Sequence, residues 1–77
     1  MPQSRYFIVH RQDAWFIQFH AHDYGPYKTQ GEAMLFAIEA AQQLGERGDD
    51  AEVCLVGENG YCRPEWTYGR DCYPPNL

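Results

Sequence analysis

One helical stretch organises the chain: residues 29–45 read TQGEAMLFAIEAAQQLG. Thr29 and Glu32 have the spacing of a capping box, in which the threonine hydroxyl accepts from a backbone N–H and the glutamate reaches back. At the helical period of about 3.6 residues the apolar side chains share one stripe, which predicts an amphipathic helix from about Gln30 to Leu44. The stripe contains Ala33, Met34, Phe36, Ala37, Ile38, Ala40, Ala41 and Leu44. Leu35 is the apolar residue that falls on the opposite, polar face.

A β-hairpin is predicted on the N-terminal side of this helix. Residues 5–10 and 14–20 are rich in β-branched and aromatic side chains, which is typical of strands. The polar segment Arg11-Gln12-Asp13 joins them as a short turn. Because side chains alternate along a strand, one face of the second strand is strongly apolar, and we assign it to the core. This face consists of Trp15, Ile17 and Phe19.

A second hairpin is predicted after the helix. Residues 52–56 and 61–66 are its strands, and Asn59-Gly60 between them is the strongest hairpin signal in the chain. A loop of only these two residues pairs Gly57 with Cys62. The core face of this hairpin then contains Val53, Leu55, Cys62, Pro64 and Trp66. Pro64 cannot donate a ladder hydrogen bond, so this strand is expected at a sheet edge.

These elements predict one α+β domain spanning residues 1–77. We expect a ββαββ core at 5–66, with a four-stranded, mainly antiparallel sheet and the helix packed on one face. The predicted strand order is second, first, third, fourth, and residues 23–28 are predicted to be a loop because they contain Gly25-Pro26. Residues 67–77 form an aromatic and proline-rich C-terminal tail.

One face of the predicted sheet is left without a covering element. The first strand is apolar on both faces, and we place Tyr6 and Ile8 on the outer face together with Phe16 and Cys54. A lone helix shields only one side of a sheet, so these side chains need cover from elsewhere. The tail and a second copy of the chain are equally good candidates for that cover.

Charge and composition argue against several classes of function. The chain has 11 acidic and 6 basic residues and a net charge of −5, which disfavours duplex nucleic acid as a partner. No apolar run approaches the roughly 20 residues that a membrane span requires. The first residues show no signal-peptide pattern, and three cysteines do not make a disulfide framework. We therefore expect a cytoplasmic protein with reduced thiols.

The tail carries the most specific resemblance to a known family. Tyr68-Gly69-Arg70-Asp71 followed by Pro74-Pro75, and the strand–turn–strand segment 56–63 before it, resemble the small bacterial domain of unknown function 2188. The resemblance covers about residues 6–75. It departs from the family at Cys72, where proline is usual, and at Ala14, where glycine is common. It implies a bacterial source and supports the predicted fold, but it implies no activity, cofactor or catalytic residue.

Few residues suggest chemistry. His20 and His22, with a carboxylate next to them, are the best approach to a metal site, but polar residues at a strand end are the favoured interpretation. Cys72 in the tail is the only thiol expected to be exposed, and Cys62 is expected to be a small core residue. Ser4 is the only serine, and no acids are paired in apolar surroundings. We predict no enzyme and no cofactor.

The favoured hypothesis is a non-catalytic protein-interaction module that forms a homodimer or binds a protein partner. It would use the outer sheet face and the aromatic tail. The predicted partner-binding residues are Tyr6, Ile8, Phe16, Leu35, Tyr68 and Tyr73. The alternatives are single-stranded nucleic-acid binding through sheet aromatics, and a metal- or thiol-dependent activity at His20, His22 and Cys72.

Overall fold

The structure is a computed structural model that describes residues 3–73. Its elements in chain order are β1 (Gln3–Arg11), β2 (Ala14–Phe19), β3 (His22–Tyr27), α1 (Gln30–Glu46), β4 (Asp50–Val56) and β5 (Cys62–Thr67). The strands form one sheet in the order β3-β2-β1-β4-β5. The central pair β1–β4 is parallel, and the other three neighbouring pairs are antiparallel. The α+β class and the helix on one face are confirmed, but the described residues form five strands, so the prediction of four was wrong.

The additional strand is β3, which follows β2 through a tight turn. His20 and Ala21 form this turn and both have positive φ, 50° and 65°. Two such residues match the type I′ turn that joins adjacent antiparallel strands. The predicted loop at 23–28 is therefore mostly an edge strand, and Pro26 suits an edge because proline donates no ladder hydrogen bond.

The turn between β1 and β2 is also one residue shorter than expected. Gln12 and Asp13 have φ of 49° and 65°, so Arg11 belongs to β1 and pairs with Ala14. A three-residue loop would have paired Ile8 with Phe16, whereas a two-residue turn pairs Ile8 with Ile17. A change of one residue in register moves every side chain of a strand to the other face.

Placing Tyr6 and Ile8 on the outer face was consequently wrong. Both lie beneath α1 in the core, with Ile8 fully buried and Tyr6 8% exposed. Assigning Trp15, Ile17 and Phe19 to the core face was right. The fully assembled core contains Tyr6, Ile8, Ile17, Ala33, Met34, Ala37, Ile38, Ala41, Ala51, Val53 and Trp66.

The helix begins and ends on local signals. The Thr29 hydroxyl accepts from the Glu32 backbone N–H at 3.1 Å, as the capping box predicts. At the other end Gly48, with φ of 97°, donates to the Gly45 carbonyl, and Asp49 donates to that of Leu44. These two bonds form a Schellman cap. Phe36, expected in the buried stripe, is 53% exposed, because it lies at the margin of the packed face.

The second hairpin differs from its prediction in register. Val56 pairs with Cys62 and Cys54 pairs with Pro64, so Cys62 and Pro64 share the outer face with Cys54 instead of lying in the core. The loop is longer than Asn59-Gly60, because the Asn59 side chain accepts from the Tyr61 backbone N–H at 3.1 Å. A bulge beside Cys54 then restores the predicted pairing of Val53 with Trp66, which is buried.

Candidate functional site

The side of the sheet opposite α1, here called the outer face, carries a row of apolar side chains. Val9 pairs with Phe16, and Phe7 lies opposite Cys54 on β4, so these four residues are neighbours on three strands. Val9 and Cys54 are buried, whereas Phe7 and Phe16 are half-buried. Over residues 3–73, the helix lies on the other side of the sheet. The outer face is thus a candidate contact surface, built partly from residues other than those predicted.

The described part of the tail does not extend over this row. The Trp66 indole N–H donates to the Cys72 carbonyl at 2.9 Å, and the Tyr73 ring meets the Trp66 ring at 6.5 Å. Asp71 accepts from the Thr67 backbone N–H at 2.8 Å. These contacts fold residues 67–73 around Trp66, whose side chain is in the core on the helix side. Residues 74–77, including the Pro74-Pro75 pair of the family resemblance, lie outside the described residues.

A second surface lies between α1 and the β2–β3 hairpin. It is a groove of about 310 Å³, which we call the aromatic groove. Two ring stacks form its walls: Tyr6 on Phe19 at 4.1 Å, and Tyr27 on Phe36 at 5.2 Å. Tyr24 and Phe36 are 47% and 53% exposed at its mouth. Its lining consists of Tyr6, Ile17, Phe19, Tyr24, Tyr27, Phe36, Ala37 and Ala40.

The polar side-chain atoms of this groove are the phenol hydroxyls of its tyrosines. Burial raises the pKa of Tyr6, and the nearby Tyr24 raises it further. Tyr6 therefore stays a neutral hydroxyl over the physiological pH range, able to donate or accept one hydrogen bond. An apolar concavity with a few such groups is the usual form of a site that binds a small molecule or a single side chain.

The exposed face of α1 beside the groove is acidic. Glu32, Glu39 and Glu46 follow one another at seven-residue intervals, so they lie along one side of the helix. The sequence of α1 contains no lysine or arginine. Leu35, 50% exposed, and Phe36 lie between the first two carboxylates in sequence. This face combines apolar contact area with negative charge.

The predicted partner-binding residues do not come together in one site. Ile8 is fully buried and cannot contact a partner. Tyr6 lines the aromatic groove, Phe16 lies on the outer face, and Leu35 is on the exposed side of α1. Tyr68 packs against Gly45 of the helix, and Tyr73 is 46% exposed beside Trp66. Phe36 was expected in the buried stripe, and the groove that it forms with Tyr24 and Tyr27 depends on the unpredicted strand β3.

His10, His20 and His22 do not join other described residues in a set of metal ligands. His20 is in the β2–β3 turn with its ring edge against Phe19 at 4.0 Å, and His22 begins β3. His10 is stacked on Trp15 at 4.3 Å. No group of three or more His, Cys, Asp or Glu residues within positions 3–73 is arranged to hold a metal ion.

Two of the three thiols lie on the outer face. The Cys54 thiol donates to Glu52 Oε1 at 3.3 Å, and Arg5 Nε lies 3.0 Å from the same oxygen. Burial raises the pKa of Cys54 to about 12, with contributions from hydrogen bonds to Cys62 and Glu52. Cys62 is exposed, as is Cys72. The prediction that Cys62 is a core residue, and Cys72 the only exposed thiol, was therefore wrong.

In the part of the chain that the structure describes, α1 lacks the combined length and apolar character that crossing a membrane requires. Searches against protein-family models, curated proteins and solved structures found no match to this chain.

Proposed function

We propose that the chain is a non-catalytic protein-interaction module that binds a partner through the aromatic groove. The observation that carries this proposal is the groove itself, an apolar concavity whose mouth is flanked by two half-exposed rings, Tyr24 and Phe36. Aromatic side chains are enriched at the energetic centres of protein interfaces, because they bury a large area at low entropic cost. A large side chain of the partner would enter between α1 and β3.

The size and charge of the groove favour one kind of partner. Its volume of about 310 Å³ is at the lower end of the range of about 300–1,000 Å³ for ligand sites, which suits one large side chain better than an extended cofactor. Glu32 and Glu39 beside it favour lysine or arginine flanking that side chain. The occupant is therefore a segment of another protein with an aromatic or large aliphatic anchor and basic neighbours. A second copy of this acidic chain would bring like charges together.

A capped Lys-Trp-Lys peptide is a minimal probe of this site. We expect its titration into the ¹⁵N-labelled protein to shift amide resonances of Tyr24, Tyr27, Phe36 and Ala40. A capped Lys-Ala-Lys peptide tests whether charge alone is responsible. Equal shifts with the two peptides, or shifts spread over the whole sheet, would contradict the proposal.

Variants test the same surface independently of the probe's charge. Phe36→Ala removes an exposed ring from the groove mouth, so we expect at least about tenfold weaker binding of the tryptophan peptide, corresponding to about 1.4 kcal/mol. Tyr61→Ala is the matched control, because Tyr61 is 75% exposed in the distant β4–β5 loop. Similar affinities for the two variants would locate the binding elsewhere.

Self-association through the outer face is a second candidate function. The row Phe7, Val9 and Phe16 favours it, since an apolar sheet face is a common surface for a two-fold dimer. Light scattering under reducing conditions would then give a dimer mass for the wild type and a monomer mass for Phe16→Lys. Phe36→Lys, on the helix side, should remain dimeric. A wild-type monomer at every concentration would remove this candidate.

Single-stranded nucleic acid remains the less favoured partner. Phe7 and Phe16 could stack bases, but binding to phosphate requires a positive groove, and the chain carries a net charge of −5. Fluorescence titration with an oligonucleotide at low salt tests it, and absence of binding there would remove it.

A further inference from the structure

The register of the second hairpin brings two thiols together. Val56 pairs with Cys62 and Cys54 pairs with Pro64, so Cys54 and Cys62 are diagonal neighbours on the outer face of adjacent strands. The neighbouring Cys62 also contributes to the raised pKa of Cys54. With the two-residue loop that Asn59-Gly60 indicates, the two thiols would have been on opposite faces of the sheet. Their proximity is therefore a consequence of the longer loop.

The two cysteines have unequal surroundings. Cys62 is exposed on the edge strand β5, where a reagent in solvent can reach it. Cys54 is 2% exposed, and its thiol donates a hydrogen bond to Glu52, which is itself paired with Arg5. An accessible thiol beside a protected second thiol is the usual arrangement of an attacking and a resolving cysteine.

The edge strand can supply the small movement that a covalent bond requires. Diagonal neighbours in an antiparallel pair are about 7–8 Å apart, somewhat beyond the usual Cα separation of disulfide-bonded cysteines, about 4.4–6.8 Å. Residues 62–65 of β5 are exposed, and Pro64 donates no hydrogen bond to β4. This end of β5 can therefore approach β4 without disturbing Trp66 in the core.

We propose that Cys54 and Cys62 form a reversible disulfide by exchange with small-molecule disulfides such as glutathione disulfide. The thiolate of Cys62 attacks one sulfur of the reagent, which breaks its S–S bond and releases one small thiol that takes up the Cys62 proton. The Cys54 sulfur then attacks the Cys62 sulfur of the mixed disulfide, and the second small thiol leaves with the Cys54 proton. Two protein thiols are oxidised to one disulfide, and one reagent disulfide is reduced to two thiols.

Peptide mapping of the full chain tests this directly. Trypsin cleaves after Arg47 and Arg70, whereas Arg63 is protected by the following Pro64, so Cys54 and Cys62 lie in one peptide and Cys72 in the next. After exposure to glutathione disulfide and blocking of remaining thiols, we expect the 48–70 peptide to lack two hydrogens and to carry no blocking group. Dithiothreitol should restore two reactive thiols.

Single variants separate the two steps. Cys54→Ala removes the resolving thiol and should stop the reaction at the mixed disulfide on Cys62. Cys62→Ala should leave Cys54 unmodified while the chain stays folded by circular dichroism, and Cys72→Ala should react like the wild type. The proposal would be overturned by a wild-type chain that accumulates the mixed disulfide on Cys62. A disulfide between Cys72 and either Cys54 or Cys62 would overturn it as well.

Discussion

At the scale of single residues, Gly45 shows how one missing side chain shapes the packing. It lies on the buried side of α1, and the ring of Tyr68 occupies the space that a Cβ at this position would need. The Tyr68 ring in turn meets the Trp66 ring edge to face at 6.4 Å. The helix, the end of β5 and the start of the tail are thus held together where a side chain is absent.

Gly45→Ala should destabilise the protein even though alanine is the better helix former. We expect the displaced Tyr68 ring to cost about 1–3 kcal/mol, which exceeds the gain of about 1 kcal/mol in helix propensity. Gly31→Ala is the matched control, because a Cβ at Gly31 meets nothing within 4 Å, and it should be neutral or stabilising. Urea unfolding measures both. A stability gain for the two variants alike would contradict the role assigned to Tyr68.

Individual residues also determined which parts of the structure were predictable. Thr29 and Glu32 act within the first turn of the helix, so their pattern located the start of α1, and the apolar stripe located its end to within two residues. The pairing of Cys54 with Cys62 was not predictable, because it depends on whether Asn59 adopts a left-handed conformation or accepts a hydrogen bond from Tyr61. The residue types permit both outcomes.

At the scale of elements, two tight turns decide the sheet. Neither Gln12-Asp13 nor His20-Ala21 contains glycine, yet all four residues have positive φ. A left-handed conformation costs a residue with a Cβ about 1–2 kcal/mol. The strand pairings on either side of each turn must offset that cost. Turns stabilised by their flanking strands carry no sequence signal of their own, which is why β3 was missed and β1 was assigned to the wrong face.

Ala21→Gly should therefore stabilise the protein. Ala21 has φ of 65°, so glycine relieves the strained conformation, and we expect a net gain of about 0.5–1 kcal/mol after the entropy of the unfolded glycine is subtracted. Ala14→Gly makes the same chemical change in β2 and should instead lose about 0.5–1 kcal/mol. Thermal unfolding followed by circular dichroism compares them. Equal losses in the two variants would show that the turn is not strained.

At the scale of the whole molecule, the candidate surfaces arise from elements that are distant in sequence. The aromatic groove needs Tyr6 from β1, Tyr24 from β3 and Phe36 from α1. Its existence depends on the β1 register and on β3, neither of which the residue pattern indicates. The general fold was predictable because it needs only element types and their order. The groove was not, because it also needs the correct face of each strand.

Two buried groups predict how the stability of the whole fold changes at alkaline pH. They are the Cys54 thiol on the outer face and the Tyr6 phenol on the helix side of the sheet. Burial raises the pKa of the Cys54 thiol from its ordinary value of 9.0 to about 12, and it also raises the pKa of the Tyr6 phenol above its ordinary value of 10.0. The folded chain therefore keeps protons that the unfolded chain releases. These two groups should leave stability unchanged between neutral pH and about pH 9 and should lower it as the pH rises toward about 12, by up to about 1.4 kcal/mol per pH unit for each group.

Urea unfolding of reduced protein between about pH 8 and pH 11 separates the thiol from the phenol. Cys54→Ala leaves only the tyrosine contribution, so its stability should fall less steeply with pH than that of the wild type, whatever its stability at neutral pH. Cys72→Ala removes an exposed thiol and should keep the wild-type slope. Parallel curves of stability against pH for the two variants would mean that Cys54 releases its proton as readily in the folded chain as in the unfolded one. Arg5, Glu52 and Cys62 around this thiol would then have no effect on its pKa.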